Sequence, residues 1–202
     1  MGRVITSYEQ VSRAYNKVRM ELWKLGILWD GSRLDEVECH YEKLTRYGLA
    51  GLGGYMGFCE DPKRRDGTGG DGNIHIPAVY NGLDWRLRWT NKDSANDVLR
   101  HEFGHALADR YPKALQKGAL FRKAFGGAYS DKPARGTDPA DWEGRCVSGY
   151  AATQTREDFA ETFMLYVKHK GKMPAKFAKS LAICRKWKAV AEIVRRVAAA
   201  ER

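Results

Sequence analysis

Val11, Ala14, Tyr15, Val18, Leu22 and Leu25 recur at steps of three and four residues. That spacing predicts an amphipathic helix with one buried stripe. Thr6-x-x-Glu9 and Ser7-x-x-Gln10 both have the capping-box form at its start, and Gly26 marks its end. A second helix is expected over about Leu34 to Tyr47. Nine glycines between Gly48 and Gly72 then rule out regular helix. That stretch reads as a loop with a short strand near Tyr55 to Phe58, long enough to border a cleft. Ile74-His75-Ile76 begins a strand. Leu83 to Trp89 alternates apolar and charged residues, the pattern of a strand with one buried and one wet face.

Ser94-x-x-Asp97 has the polar spacing of a capped helix start. The helix runs through Val98, His101, Glu102, His105 and Leu107 to about Arg110, where Pro112 closes it. Residues 113 to 125 read as helical and 126 to 149 as loop. Thr155-x-x-Asp158 is expected to cap another helix through Phe159, Phe163 and Val167, ending near Gly171. A last helix is expected from about Ala175 to Ala200, packed through Phe177, Leu181, Trp187, Val190 and Val194. The fold class these elements predict is α+β, mostly helical, with a small mixed or antiparallel sheet. One domain is expected over 1–202. It comprises N-terminal helices in 1–50, a glycine-rich loop and sheet in 51–92, the chemistry-bearing helices in 93–170 and a basic C-terminal helix in 171–202.

Composition adds exclusions. With 202 residues, 43% of them hydrophobic, the chain can bury a real core, and wholesale disorder is excluded. No run approaches the ~18 apolar residues of a membrane span. The opening residues lack the apolar run of a secretory signal, so a cytoplasmic location is expected, with non-classical secretion as an effector the alternative. Cys39, Cys59, Cys146 and Cys184 form no CxxC pair and read as four reduced, mostly buried thiols. A second metal site from Cys39, His40 and Cys59 is the weaker alternative. The net charge of +10 is uneven: from Phe163 to Arg202, eleven Lys/Arg stand against two Asp/Glu, a balance of +9. Lys172, Lys176, Lys179, Arg185, Lys186, Lys188, Arg195 and Arg196 could contact nucleic acid, although a solvated helix face is the favoured reading.

The chemistry concentrates in His101-Glu102-Phe103-Gly104-His105. Histidines four apart on a helix share a face and can reach one ion. Glu102 stands beside that face, where it can take a proton from a water acidified by the metal. This is the HExxH arrangement of zinc hydrolases. Random placement of the chain's five His and twelve Glu gives about 0.007 such matches. A catalytic zinc site needs a third protein ligand. The metzincin extension fails at Ala108 and Tyr111. Gly136-Thr137-Asp138 approaches the aspzincin element, but Pro139 stands where its Asp belongs. Asp109 lies too far along the same helix to close the tetrahedron easily. Glu157, on the later helix, is the best candidate. It shares a face with Glu161, and two carboxylates on a partly apolar helix resist burial unless a cation is near.

His101-Glu102-x-x-His105 followed by Tyr150-x6-Glu157-x3-Glu161 resembles the gluzincin catalytic domain of the lethal factor and Pro-Pro endopeptidase family. The resemblance implies a zincin-like metallopeptidase domain in which His101, His105 and Glu157 hold zinc (Zn2+) and Glu102 is the base. It also implies that Tyr150 donates to the oxyanion and that Glu161 supports the site. The reading is a zinc-dependent endopeptidase acting on a protein or peptide, without a membrane span and as a monomer. Two alternatives remain: a DNA-associated SprT-like metalloprotease, and a basic nucleic-acid-binding module with a structural or relict zinc site.

Overall fold

The computed structural model describes residues 7–43, 58–59, 72–78, 95–115, 119–129 and 142–200. The first helix, α1 (Tyr8–Lys24), buries Val11, Ala14, Val18 and Leu22, the stripe its spacing predicts. Ser7 caps it by accepting from the Gln10 amide at 3.3 Å. Gly26 follows in the left-handed region at φ 71°, where a side chain would be strained.

The helix expected from Leu34 is replaced by turns and then β1 (Cys39–Lys43). Val37, Cys39 and Tyr41 alternate with Glu38, His40 and Glu42, a period of two that suits a strand. A non-local partner decides the matter. β1 pairs in parallel with β3 (Ile74–Ala78), Cys39 opposite Ile74 and Tyr41 opposite Ile76. β2 (Phe58–Cys59) joins the other edge of β3 antiparallel, Cys59 also opposite Ile74. The sheet is small and mixed, in the order β1-β3-β2, and begins within the segment expected to be only helical. The strand expected over Leu83 to Trp89, the cap Ser94 and most of the glycine-rich loop lie outside the described residues.

α2 (Ala95–Arg110) runs through the centre, buried on nearly every face from Asp97 to Ala108. α1, the sheet and α5 (Thr155–Lys168) all pack on it. The segment after Pro112 forms two short helices, α3 (Pro112–Leu115) and α4 (Ala119–Phe125), in place of one. The cap of α5 is Gln154, with no side-chain hydrogen bond, so Thr155 is a helical residue rather than the predicted cap.

The last expected helix is interrupted. A 3-10 turn at Ala175–Phe177 precedes α6 (Leu181–Ala200). Ser180 starts α6: its hydroxyl accepts from the Ile183 amide at 3.0 Å and donates to the Gly144 carbonyl at 2.6 Å. Phe177, Trp187, Val190 and Val194 are buried as expected, but Leu181 is 83% exposed. Its place at the first helical turn puts it outside the packed stripe, which Ile183, Ile193 and Val197 complete. The chain is thus mostly helical with little sheet. Among the described residues, no helix is long and apolar enough to cross a membrane.

Candidate metal centre

The site forms along the seam between α2 and α5. Phe103, Phe159 and Phe163 are fully buried there and fix the approach of the two helices. Gly104 lets them come close: a Cβ at this position would lie 3.1 Å from the Ala160 Cα. Helical spacing then turns His101 and His105 from α2 toward Glu157 from α5.

Three donor atoms converge. His101 Nε2 lies 3.2 Å from Glu157 Oε2, His105 Nε2 lies 3.3 Å from the same oxygen, and the two Nε2 atoms are 3.1 Å apart. Zinc–ligand bonds of about 2.0–2.1 Å at tetrahedral angles require ligand–ligand separations of roughly 3.3 Å. The triangle is therefore the size a tetrahedral ion needs, and the residues fit zinc. Among the described residues, this is the one group of three or more His, Cys, Asp or Glu whose donor atoms come so close. The three side chains are only 6–15% exposed.

Each ligand candidate is held from behind. His101 Nδ1–H donates to Glu161 Oε1 at 2.8 Å. Glu161 Oε2 in turn accepts from the Ser148 hydroxyl at 2.7 Å. Glu157 Oε1, turned away from the imidazoles, accepts from Arg156 Nε at 3.0 Å. His105 Nδ1 shares a 2.7 Å hydrogen bond with the Tyr129 hydroxyl. With both Nδ1 atoms so engaged, the two Nε2 atoms face a carboxylate oxygen and each other, an arrangement that suits a cation, whether a proton or a metal ion, between them.

The electrostatics agree. Burial works against a charged His101, but the bonds to Glu157 and Glu161 and the charge of Glu102 outweigh it, and its pKa is pushed up to about 10. Burial likewise opposes ionised Glu157, yet its bonds to His101 and His105 hold its carboxyl well below the usual carboxylate range. Glu102 is buried at 4% exposure one residue after His101. Burial first, and then the Glu102 charge, push the Cys39 thiol up to about 12. So the Glu102 carboxylate acts both on the ligand cluster and on the start of β1.

Tyr150 comes from the turn before α5. Its ring centroid is 5.8 Å from that of His101, and it is 46% exposed, so it stands at the open side of the cluster. All six sequence-predicted site residues thus belong to, or border, one place. Asp109 is not in the converging group, and His169 is the exposed cap residue of α5. The aspzincin-like segment lies outside the described residues. Cys39, Cys146 and Cys184 are free and half-buried rather than buried. Three supporting residues escaped sequence reasoning. Ser148 and Arg156 stand beside motif residues and could have been suspected. Tyr129 lay in a stretch read only as loop.

The basic C-terminus needs one correction. Lys186 is not a surface contact: it is 7% exposed, pairs with Asp158 at 2.5 Å and donates to the Arg145 carbonyl at 2.6 Å. Arg195 and Arg196 are both engaged by Glu192.

No curated protein and no solved structure matches the chain. A family model described as "Putative zinc-binding metallo-peptidase" matches residues 97–199, slightly over half of the chain. The matched span begins in the first turn of α2 and ends in the last turn of α6, so it takes in both helices that supply the converging donors. The chain belongs to this metallopeptidase family, with zinc as its metal and a protein as its substrate.

Proposed function

We propose that the chain is a zinc endopeptidase of the gluzincin type, similar in its site to the lethal factor and Pro-Pro endopeptidase family. The observation that carries this reading is the triangle of acceptor atoms from His101, His105 and Glu157, with edges of 3.1–3.3 Å. A third ligand that is Glu, rather than a third His, favours the gluzincin reading over the SprT-like one.

Zinc held by His101, His105 and Glu157 would supply a Lewis acid able to acidify a water and polarise a peptide carbonyl. Glu102 would take a proton from the attacking water as its oxygen bonds to the carbonyl carbon, and deliver that proton to the amide nitrogen as the C–N bond breaks. The Tyr150 hydroxyl donates to the carbonyl oxygen as negative charge builds on it. Glu161 accepts the His101 Nδ1–H, keeping Nε2 as the ligating atom and the ring in position.

The test combines metal content and turnover. The wild type should carry one zinc per chain by elemental analysis, and His101→Ala and Glu157→Ala should lose it. Glu102→Gln should keep zinc and lose cleavage of a peptide library. A stably folded wild type that takes up no zinc refutes the reading. Normal zinc in Glu157→Ala beside loss in Asp109→Ala would overturn the third-ligand assignment alone.

A further inference from the structure

We infer that Tyr129 is the positioning residue for His105 and so a third structural segment of the zinc site, outside both sequence motifs. The inference rests on His105 being a zinc ligand. Its basis is geometric. The Tyr129 oxygen lies 2.7 Å from His105 Nδ1, on the side of the ring away from Glu157. Accepting the Nδ1–H there leaves Nε2 with its lone pair toward the converging point, the tautomer a metal ligand requires. His101 is given the same arrangement by Glu161, so the two imidazoles are oriented by partners of different kinds. A carboxylate raises the basicity of His101; a neutral phenol fixes His105 without adding a fourth buried negative charge to the site.

The phenol is itself fixed. The Tyr129 ring lies 6.1 Å, edge-on, from Phe159 and 6.0 Å from Phe121. Phe121 stacks on Phe125 at 4.7 Å, and Phe159 continues the cluster to Phe163. The hydroxyl is thus presented by a packed aromatic cluster that spans α4 and α5, and its reach to His105 does not depend on a flexible side chain.

Tyr129→Phe removes the hydroxyl and keeps the ring. Zinc affinity, measured by chelator competition, should fall about 10- to 100-fold. The histidine Nδ1–H proton resonance of His105 in the zinc protein should shift or vanish while that of His101 stays. Phe125→Leu is the packing control. Its ring packs on Phe121 and Phe159 in the same cluster, and the substitution should lower the melting temperature while leaving zinc affinity within about twofold. Wild-type affinity in Tyr129→Phe overturns the inference, and so does a loss in Phe125→Leu equal to that in Tyr129→Phe. A wild type that binds no zinc, or a His105→Ala variant that binds it normally, would instead overturn the ligand reading beneath it.

Discussion

Gly104 offers a direct test of whether the α2–α5 distance sets the metal site. It lies within the H-E-F-G-H run, between the two histidines. In a helix interior, Gly→Ala ordinarily adds about 1 kcal/mol of stability, because alanine loses less backbone freedom on folding. Here the new Cβ would sit 3.1 Å from Ala160 Cα, 3.2 Å from Phe163 Cδ1 and 3.5 Å from Ala160 Cβ. Carbon atoms prefer roughly 3.5–4.0 Å, and overpacking of this kind costs about 1–3 kcal/mol. The two effects leave a net change between neutral and about 2 kcal/mol destabilising. Phe163 can rotate; a backbone atom cannot. Relief therefore requires α5 to move a few tenths of an ångström from α2, and Ala160 lies between Glu157 and Glu161 on α5. Metal–ligand distances tolerate only about 0.2 Å. Gly104→Ala should thus weaken zinc by the order of tenfold or more, the scale of disturbed ligand support. Melting in chelator should fall by no more than about 8 °C, the equivalent of ~2 kcal/mol at this size. Chelator competition and thermal melting read the two effects separately. The reasoning is refuted if the variant melts a few degrees higher with unchanged zinc affinity, for then the glycine is not required by close approach.

Other expectations follow from neighbouring groups. Tyr150→Phe should keep zinc and fold while kcat/KM falls by about 2–4 kcal/mol in transition-state stabilisation; full activity would remove the oxyanion role. Lys186→Met strands Asp158, whose Oδ1 already has no hydrogen-bond partner among the described residues, and should cost about 3–5 kcal/mol in urea unfolding. Asp158→Asn with Lys186→Met should cost less than Lys186→Met alone, and an equal or greater loss would refute the ion-pair account. Acid stability should depend on Asp97. Burial raises its pKa, but Lys168 and Arg100 outweigh burial and hold the carboxyl below its ordinary value. The unfolded chain then binds the proton more readily, so this stabilisation is full above about pH 5 and drains as pH falls below about 4. Asp97→Asn should flatten the acid side of the stability profile measured by denaturant midpoints, and an unchanged slope would count against it.

Local signals made part of this protein legible and non-local ones hid the rest. The α1 stripe and the two histidines follow from helical period alone, which any reader of residues 11–25 or 101–105 can apply. β1 departs from the helical expectation because the choice between helix and strand at Cys39–Lys43 is made by pairing with Ile74–Ala78, about 35 residues on. The break before α6 turns on Ser180, a residue that is neutral inside a helix and favoured at its start; its bond to the distant Gly144 carbonyl settles which. Lys186 reads as one more cation in a basic run, and only the position of Asp158 reveals it as buried. In the site, Glu157 could be nominated because its spacing from Glu161 is local. Tyr129 could not be, since no spacing connects it to His105 until α4 packs on α5.

The middle of the α2–α5 seam differs in charge from its ends. Toward the start of α2, Asp97 and Glu21 are met by Arg100 and Lys168, two anions against two cations. On the far side of α5, Asp158 is met by Lys186. These groups compensate one another within the chain. Between them, the carboxylates of Glu102, Glu157 and Glu161 all act on His101, and Arg156 Nε bonds Glu157 Oε1 from behind. Three carboxylates gathered in a place nearly closed to water are costly unless cations stand near them. Against the cost of burial, their bonds and charges push His101 up to about 10. A divalent cation at the three converging donors of His101, His105 and Glu157 would offset this charge and satisfy their lone pairs at once. Metal binding and the fold of the α2–α5 seam are therefore coupled: removing zinc should loosen this pair of helices more than it loosens α1 or the sheet.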